Sequence, residues 1–129
     1  MRLFTAALLA VPLTASPALA TGSIFCEGVG DDVSIEFTIG SLPVLAIVAA
    51  QVTAGDEVWA TADGGNHEIA VGQAFAERGQ LLADFVDTNF ERVLVRLRLV
   101  SASEGDDEIR AGTLVIVDRG AWPVVCVGP

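Results

Sequence analysis

The chain has 129 residues, no lysine, seven arginines and seventeen acids, giving a net charge of −10 at pH 7, and 52% of its residues are hydrophobic. Such acidity excludes nucleic acid and anionic membrane surfaces as partners, because both require net positive patches. It leaves a cationic protein as the more natural ligand. No cofactor is expected, since no Gly-rich phosphate cradle precedes a helix.

Residues 1–20 read as a cleavable secretory signal. Arg2 supplies a positive start, Leu3 to Leu13 is mostly apolar, and Pro17-Ala18-Leu19-Ala20 ends on the small-x-small pattern that signal peptidase reads. The expected product is residues 21–129, one soluble domain in the periplasm or outside the cell. There six arginines face seventeen acids, a net charge of −11. Phe25 before Cys26 argues against lipid attachment at that cysteine, and no later apolar run reaches the roughly 18–20 residues that span a bilayer.

Taken in order, the expected strands cover residues 23–27, 32–39, 44–52, 57–62, 68–75, 80–86, 92–100, 109–117 and 123–127. The hydrophobic period is two. In 32–39, Val33, Ile35, Phe37 and Ile39 alternate with Ser34, Glu36 and Thr38, the pattern of a half-buried strand. In 92–100, Val93, Val95, Leu97 and Leu99 face one way, and Arg92, Leu94, Arg96, Arg98 and Val100 face the other. The segment 109–117 alternates more weakly and turns apolar on both faces towards its end. Within 70–86, residues 73–84 have a composition that a helix would also accept, but Gly72 and Gly79 favour strands.

Turn signals separate these segments, among them Gly28-Val29-Gly30-Asp31, Asp63-Gly64-Gly65-Asn66, Arg78-Gly79 and Asp87-Thr88-Asn89. Short strands about ten residues apart imply an all-β fold, an antiparallel up-and-down small barrel or sandwich of about eight to nine strands. No connection looks long enough for a parallel crossover. Cys26 and Cys126 are expected to form a disulfide, since an even pair in an exported protein is normally bridged. With one cysteine near each end, the terminal strands should be neighbours, closing the sheet and removing its edges. A small exported barrel with this placement of Cys26 and Cys126 is similar in architecture to periplasmic lysozyme inhibitors. The chain has no tyrosine and no Ser-Gly-x-Arg-Tyr loop, so the similarity assigns neither a family nor a functional residue.

Catalytic signals are poor. The lone histidine, His67, lies beside Glu68 and near Asp63, but no second histidine or free thiol completes a tight metal site. No serine sits in a G-x-S-x-G elbow. The acidic run Glu104-Gly105-Asp106-Asp107-Glu108 lacks the ligand alternation of an EF-hand and reads as a solvated hairpin tip. No catalytic or metal-binding set is therefore assigned. The positions expected to contact a ligand or partner are Arg96, Arg98, Trp59 and His67. Arg96 and Arg98 are expected on an outer sheet face, paired with carboxylates such as Asp84 or Asp118. Trp122 is expected near the disulfide. The expected function is a non-catalytic exported binding or interaction module. A small-ligand carrier with a barrel cavity, or a hydrolase using His67, are the alternatives.

Overall fold

The computed structural model describes residues 21–30 and 32–129. The expected signal segment, residues 1–20, lies outside the described residues. Ten strands are present: β1 (Gly22–Gly28), β2 (Val33–Ile39), β3 (Ile47–Ala54), β4 (Glu57–Ala60), β5 (His67–Glu68), β6 (Ala70–Glu77), β7 (Gln80–Val86), β8 (Val93–Glu104), β9 (Asp107–Ile116) and β10 (Gly120–Val127). They form one sheet in the order β5-β4-β3-β2-β1-β10-β9-β8-β7-β6. No described residue is helical, and no helix is long and apolar enough to cross a membrane.

Residues 73–84, compatible with a helix by composition, form a hairpin instead. Arg78 and Gly79 both take positive φ, 50° and 76°, between the paired residues Glu77 and Gln80. Two consecutive left-handed residues match the twist of the flanking strands, and glycine reaches that conformation without steric cost.

The terminal strands do pair. Cys26 on β1 stands opposite Cys126 on β10, and the two are joined by a disulfide that closes a sequence separation of 100 residues. Both cysteines are buried and point into the core. This pairing lies in the middle of the strand order, however, so it does not remove the sheet edges. Those edges are β5 and β6.

β5 and β6 are separated in sequence by Ile69 alone, so the sheet has to curl until its two edges meet. Residues 67–77 act as one bent strand that changes partner. The first part pairs with β4, Ile69 N–H donates to the carbonyl of Ala60 at 3.0 Å, and the second part pairs with β7. Ile69 is itself buried in the core. The result is a nearly closed barrel.

The β4–β5 pair is parallel, contrary to the expectation that all pairs would be antiparallel. Its connection, residues 61–66, folds back beside β4 and needs no crossover layer. Thr61 Oγ1 accepts from the N–H of Ala50 at 3.0 Å, and Asn66 Oδ1 accepts from that of Val58 at 2.8 Å. Two polar side chains thus satisfy backbone donors that a longer ladder would otherwise take.

The inward positions build one apolar cluster. Val33, Ile35 and Phe37 on β2 belong to the same cluster as Val95, Leu97 and Leu99 on β8, together with Phe85, Leu114 and Ile116. No described polar or charged residue is buried. The ionised groups among them therefore all reach the surface.

Candidate functional site

Of the four side chains expected to contact a ligand, the structure brings two together. Trp59 on β4 and His67 on β5 are register partners in the parallel pair. Neighbouring strands lie roughly 4.8 Å apart, and the two rings stack with centroids 4.9 Å apart and an interplanar angle of 20°. The strand pairing itself sets the stack. Trp59 is buried, whereas the imidazole is partly exposed.

β4, β8 and β10 all begin at the same end of the barrel, and this mouth carries the cluster. Arg119, in the turn between β9 and β10, reaches across to Glu57 at the start of β4. Its Nε donates to Oε2 at 2.5 Å and its Nη2 to Oε1 at 3.0 Å. The guanidinium carbon also lies 5.9 Å from the Trp59 ring centroid, within range for a cation–π contact. The hydrogen bond from Arg119 holds the Glu57 carboxyl below its ordinary pKa, and the same bond raises that of Arg119. Between Trp59, His67, Arg92, Leu94 and Arg119 lies an open cleft of about 460 Å³.

His67 Nε2 lies 4.0 Å from Glu57 Oε2, beyond hydrogen-bond reach, and that carboxylate is already engaged by Arg119. No serine, threonine or cysteine lines the cleft to act as a nucleophile beside an imidazole base. Asp63, His67 and Glu68 do not assemble a metal site. Among the described residues no group of three or more His, Cys, Asp or Glu side chains could hold a metal ion.

Arg96 and Arg98 lie elsewhere, on the outer face of β8. Arg96 is exposed. Arg98 donates from Nη1 to Asp84 Oδ1 at 2.8 Å, and also to the carbonyl of Leu97 at 2.9 Å. Asp84 is thus the carboxylate partner, whereas Asp118 sits in the β9–β10 turn with φ of 65°. Arg92 precedes β8 and leaves the arginine face to line the mouth cleft. Trp122 lies four residues before Cys126 along β10, roughly 13 Å at strand rise, so it does not cover the disulfide. Its ring lies against Gly120.

Glu57 and Arg119 were not singled out by the sequence. Neither belongs to a motif, and 62 residues separate them. The one available hint is Arg119-Gly120 as a turn signal, which places an arginine at a strand start without saying what it would meet. No family model, no curated protein and no solved structure matches this chain.

Proposed function

We propose that this protein is a non-catalytic exported binding module that recognises a cationic protein partner through its outer surface. The observation that carries this reading is the apolar interior: with no described polar or charged residue buried, the excess of acids is displayed on the outside of a nearly closed barrel that also carries a disulfide. A rigid scaffold with charged loops and faces is suited to steering and holding an oppositely charged partner. The disulfide also fits export to an oxidising compartment.

The carrier alternative needs space within the barrel, whose inward residues, Phe37, Phe85, Leu97 and Leu114 among them, belong to one buried apolar cluster. The hydrolase alternative needs His67 to engage a base partner and a nucleophile, and the mouth cleft supplies neither at bonding distance.

The test is surface-plasmon binding of the exported protein to immobilised lysozyme, cytochrome c and a neutral control protein. Saturable binding to at least one basic protein, weakening as salt rises, supports the reading. Equal binding to the neutral control, or turnover of an ester or glycoside substrate that His67→Ala abolishes, would overturn it.

A further inference from the structure

An antiparallel sheet with one wet face alternates apolar and polar residues, whereas strands apolar on both faces occur where both faces are covered. β9 and β10 break the alternation. Their inward residues Leu114, Ile116, Val124 and Cys126 are buried in the core, yet several outward residues are apolar as well. Ile109, Val125 and Val127 are 57%, 45% and 67% exposed, and Val100 on β8 is 58% exposed.

The registers make these one surface. Val100 pairs with Ala111, which pairs with Val125, forming an apolar row across β8, β9 and β10. The next outward pair on β8 and β9 is Ala102 with Ile109, and Val127 pairs with Phe25 on β1. Exposed aliphatic side chains gathered on one face, rather than scattered singly, are what an interaction surface presents.

Charge identifies the occupant. Val125 is followed across the sheet by Glu27, and Phe25 by Glu36. Beyond Ala102 and Ile109, the next outward pair is Glu104 with Asp107 at the hairpin tip. Among the described residues, no arginine lies within salt-bridge distance of these four carboxylates. A second copy docked symmetrically on this face would set the same acidic rim against itself. A segment with apolar residues at its centre and Lys or Arg at its margins satisfies both features.

We propose that the outer face of β8, β9, β10 and β1 binds a cationic amphipathic segment of another protein. Val100, Ile109, Val125 and Val127 take its apolar side, and Glu27, Glu36, Glu104 and Asp107 take its basic residues. The assignment rests on the binding-module reading and gives that reading a location and a partner chemistry.

The experiment titrates isotope-labelled exported protein with a synthetic Leu/Lys amphipathic peptide, and with a scrambled peptide of identical composition, followed by amide chemical shifts. Shifts confined to β8, β9, β10 and β1, with tighter binding of the amphipathic peptide, are expected. The double variant Val125→Thr and Val127→Thr keeps β-branched side chains at outward positions and should fold, as its circular dichroism would verify. It should weaken binding about tenfold, since each lost buried methyl contributes to affinity. Glu27→Gln with Glu36→Gln should weaken binding and flatten its salt dependence. Equal affinity for the scrambled peptide would overturn the assignment, as would a dimer that the valine variant dissolves. Shifts at the mouth cleft would overturn the face while leaving the binding-module reading intact. Failure to bind either peptide or any basic protein would remove both.

Discussion

Arg119 and Glu57 face each other across the mouth of the barrel, joined by two hydrogen bonds although β10 and β4 are separated in the sheet by β1, β2 and β3. The pair ties the β9–β10 turn to the start of β4, next to the stacked rings of Trp59 and His67. It fastens the closing end of a sheet whose edges are otherwise held by the bent strand through Ile69.

The charge state of Glu57 bears on this pair. The Glu57 pKa is lowered chiefly by the hydrogen bond from Arg119, and the Asp87 pKa by the backbone N–H groups of Arg92 and Glu91. A carboxylate lowered in the folded state contributes stability that is present above its ordinary pKa and lost as pH falls through the folded value. The urea midpoint should therefore fall as pH drops below the ordinary carboxylate range. Glu57→Gln should lower the midpoint at neutral pH and converge with the wild type in acid. Parallel pH profiles for the two proteins would contradict this assignment.

Reduction of the disulfide should be costly. Cys26 and Cys126 close a loop of 100 residues, for which chain entropy allows up to about 4–5 kcal/mol. Paired Cys26→Ala and Cys126→Ala substitutions should lower the unfolding free energy towards that limit. Intact mass before and after reduction should differ by a pair of hydrogens in the monomer. An unchanged urea midpoint in the double variant would mean that the unfolded chain is already constrained elsewhere.

The arginines of β8 should contribute little to stability. Arg96 is exposed, and Arg98 pairs with Asp84 on the outer face. Such pairs are worth about 0–1 kcal/mol, so urea unfolding of Arg96→Gln should match the wild type, with Arg98→Gln slightly below it. A loss above roughly 2 kcal/mol at Arg98 would exceed what a surface pair contributes.

Phe37 on β2 is among the largest fully buried side chains, within the cluster that contains Val95, Leu97 and Leu99 of β8. Phe37→Ala removes most of its volume from a filled interior and should cost roughly 3–5 kcal/mol. Calorimetric melting would read this as a markedly lower Tm, and an unchanged Tm would mean the space is refilled by neighbours.

The inward set of β2 and β8 was legible because period-two alternation is a local property: Ile35 buries for the same reason that Glu36 does not. The Arg78-Gly79 turn was legible for a similar reason, since few residues accept two consecutive positive φ values. The strand at 68–75 was only half legible. Its glycines favour an extended chain over a helix, but do not tell that Ile69 divides it between two partners. Half of the site was visible in the same way, through Trp59 and His67 as unusual residue types. Glu57 and Arg119 were not, because each is an ordinary charged residue until the barrel brings them within hydrogen-bond reach.

By itself the sequence determined the all-β class, the run of short strands, the inward faces and the pairing of Cys26 with Cys126. These follow from side-chain alternation, turn chemistry and having only two cysteines, none of which depends on distant contacts. Tertiary structure alone decided the parallel β4–β5 pair, the position of the sheet edges, the Glu57–Arg119 ion pair and the contiguity of Val100, Ala111 and Val125 across three strands. Each of those depends on register and closure, which are set by how the whole sheet curls around its core rather than by any local stretch of residues.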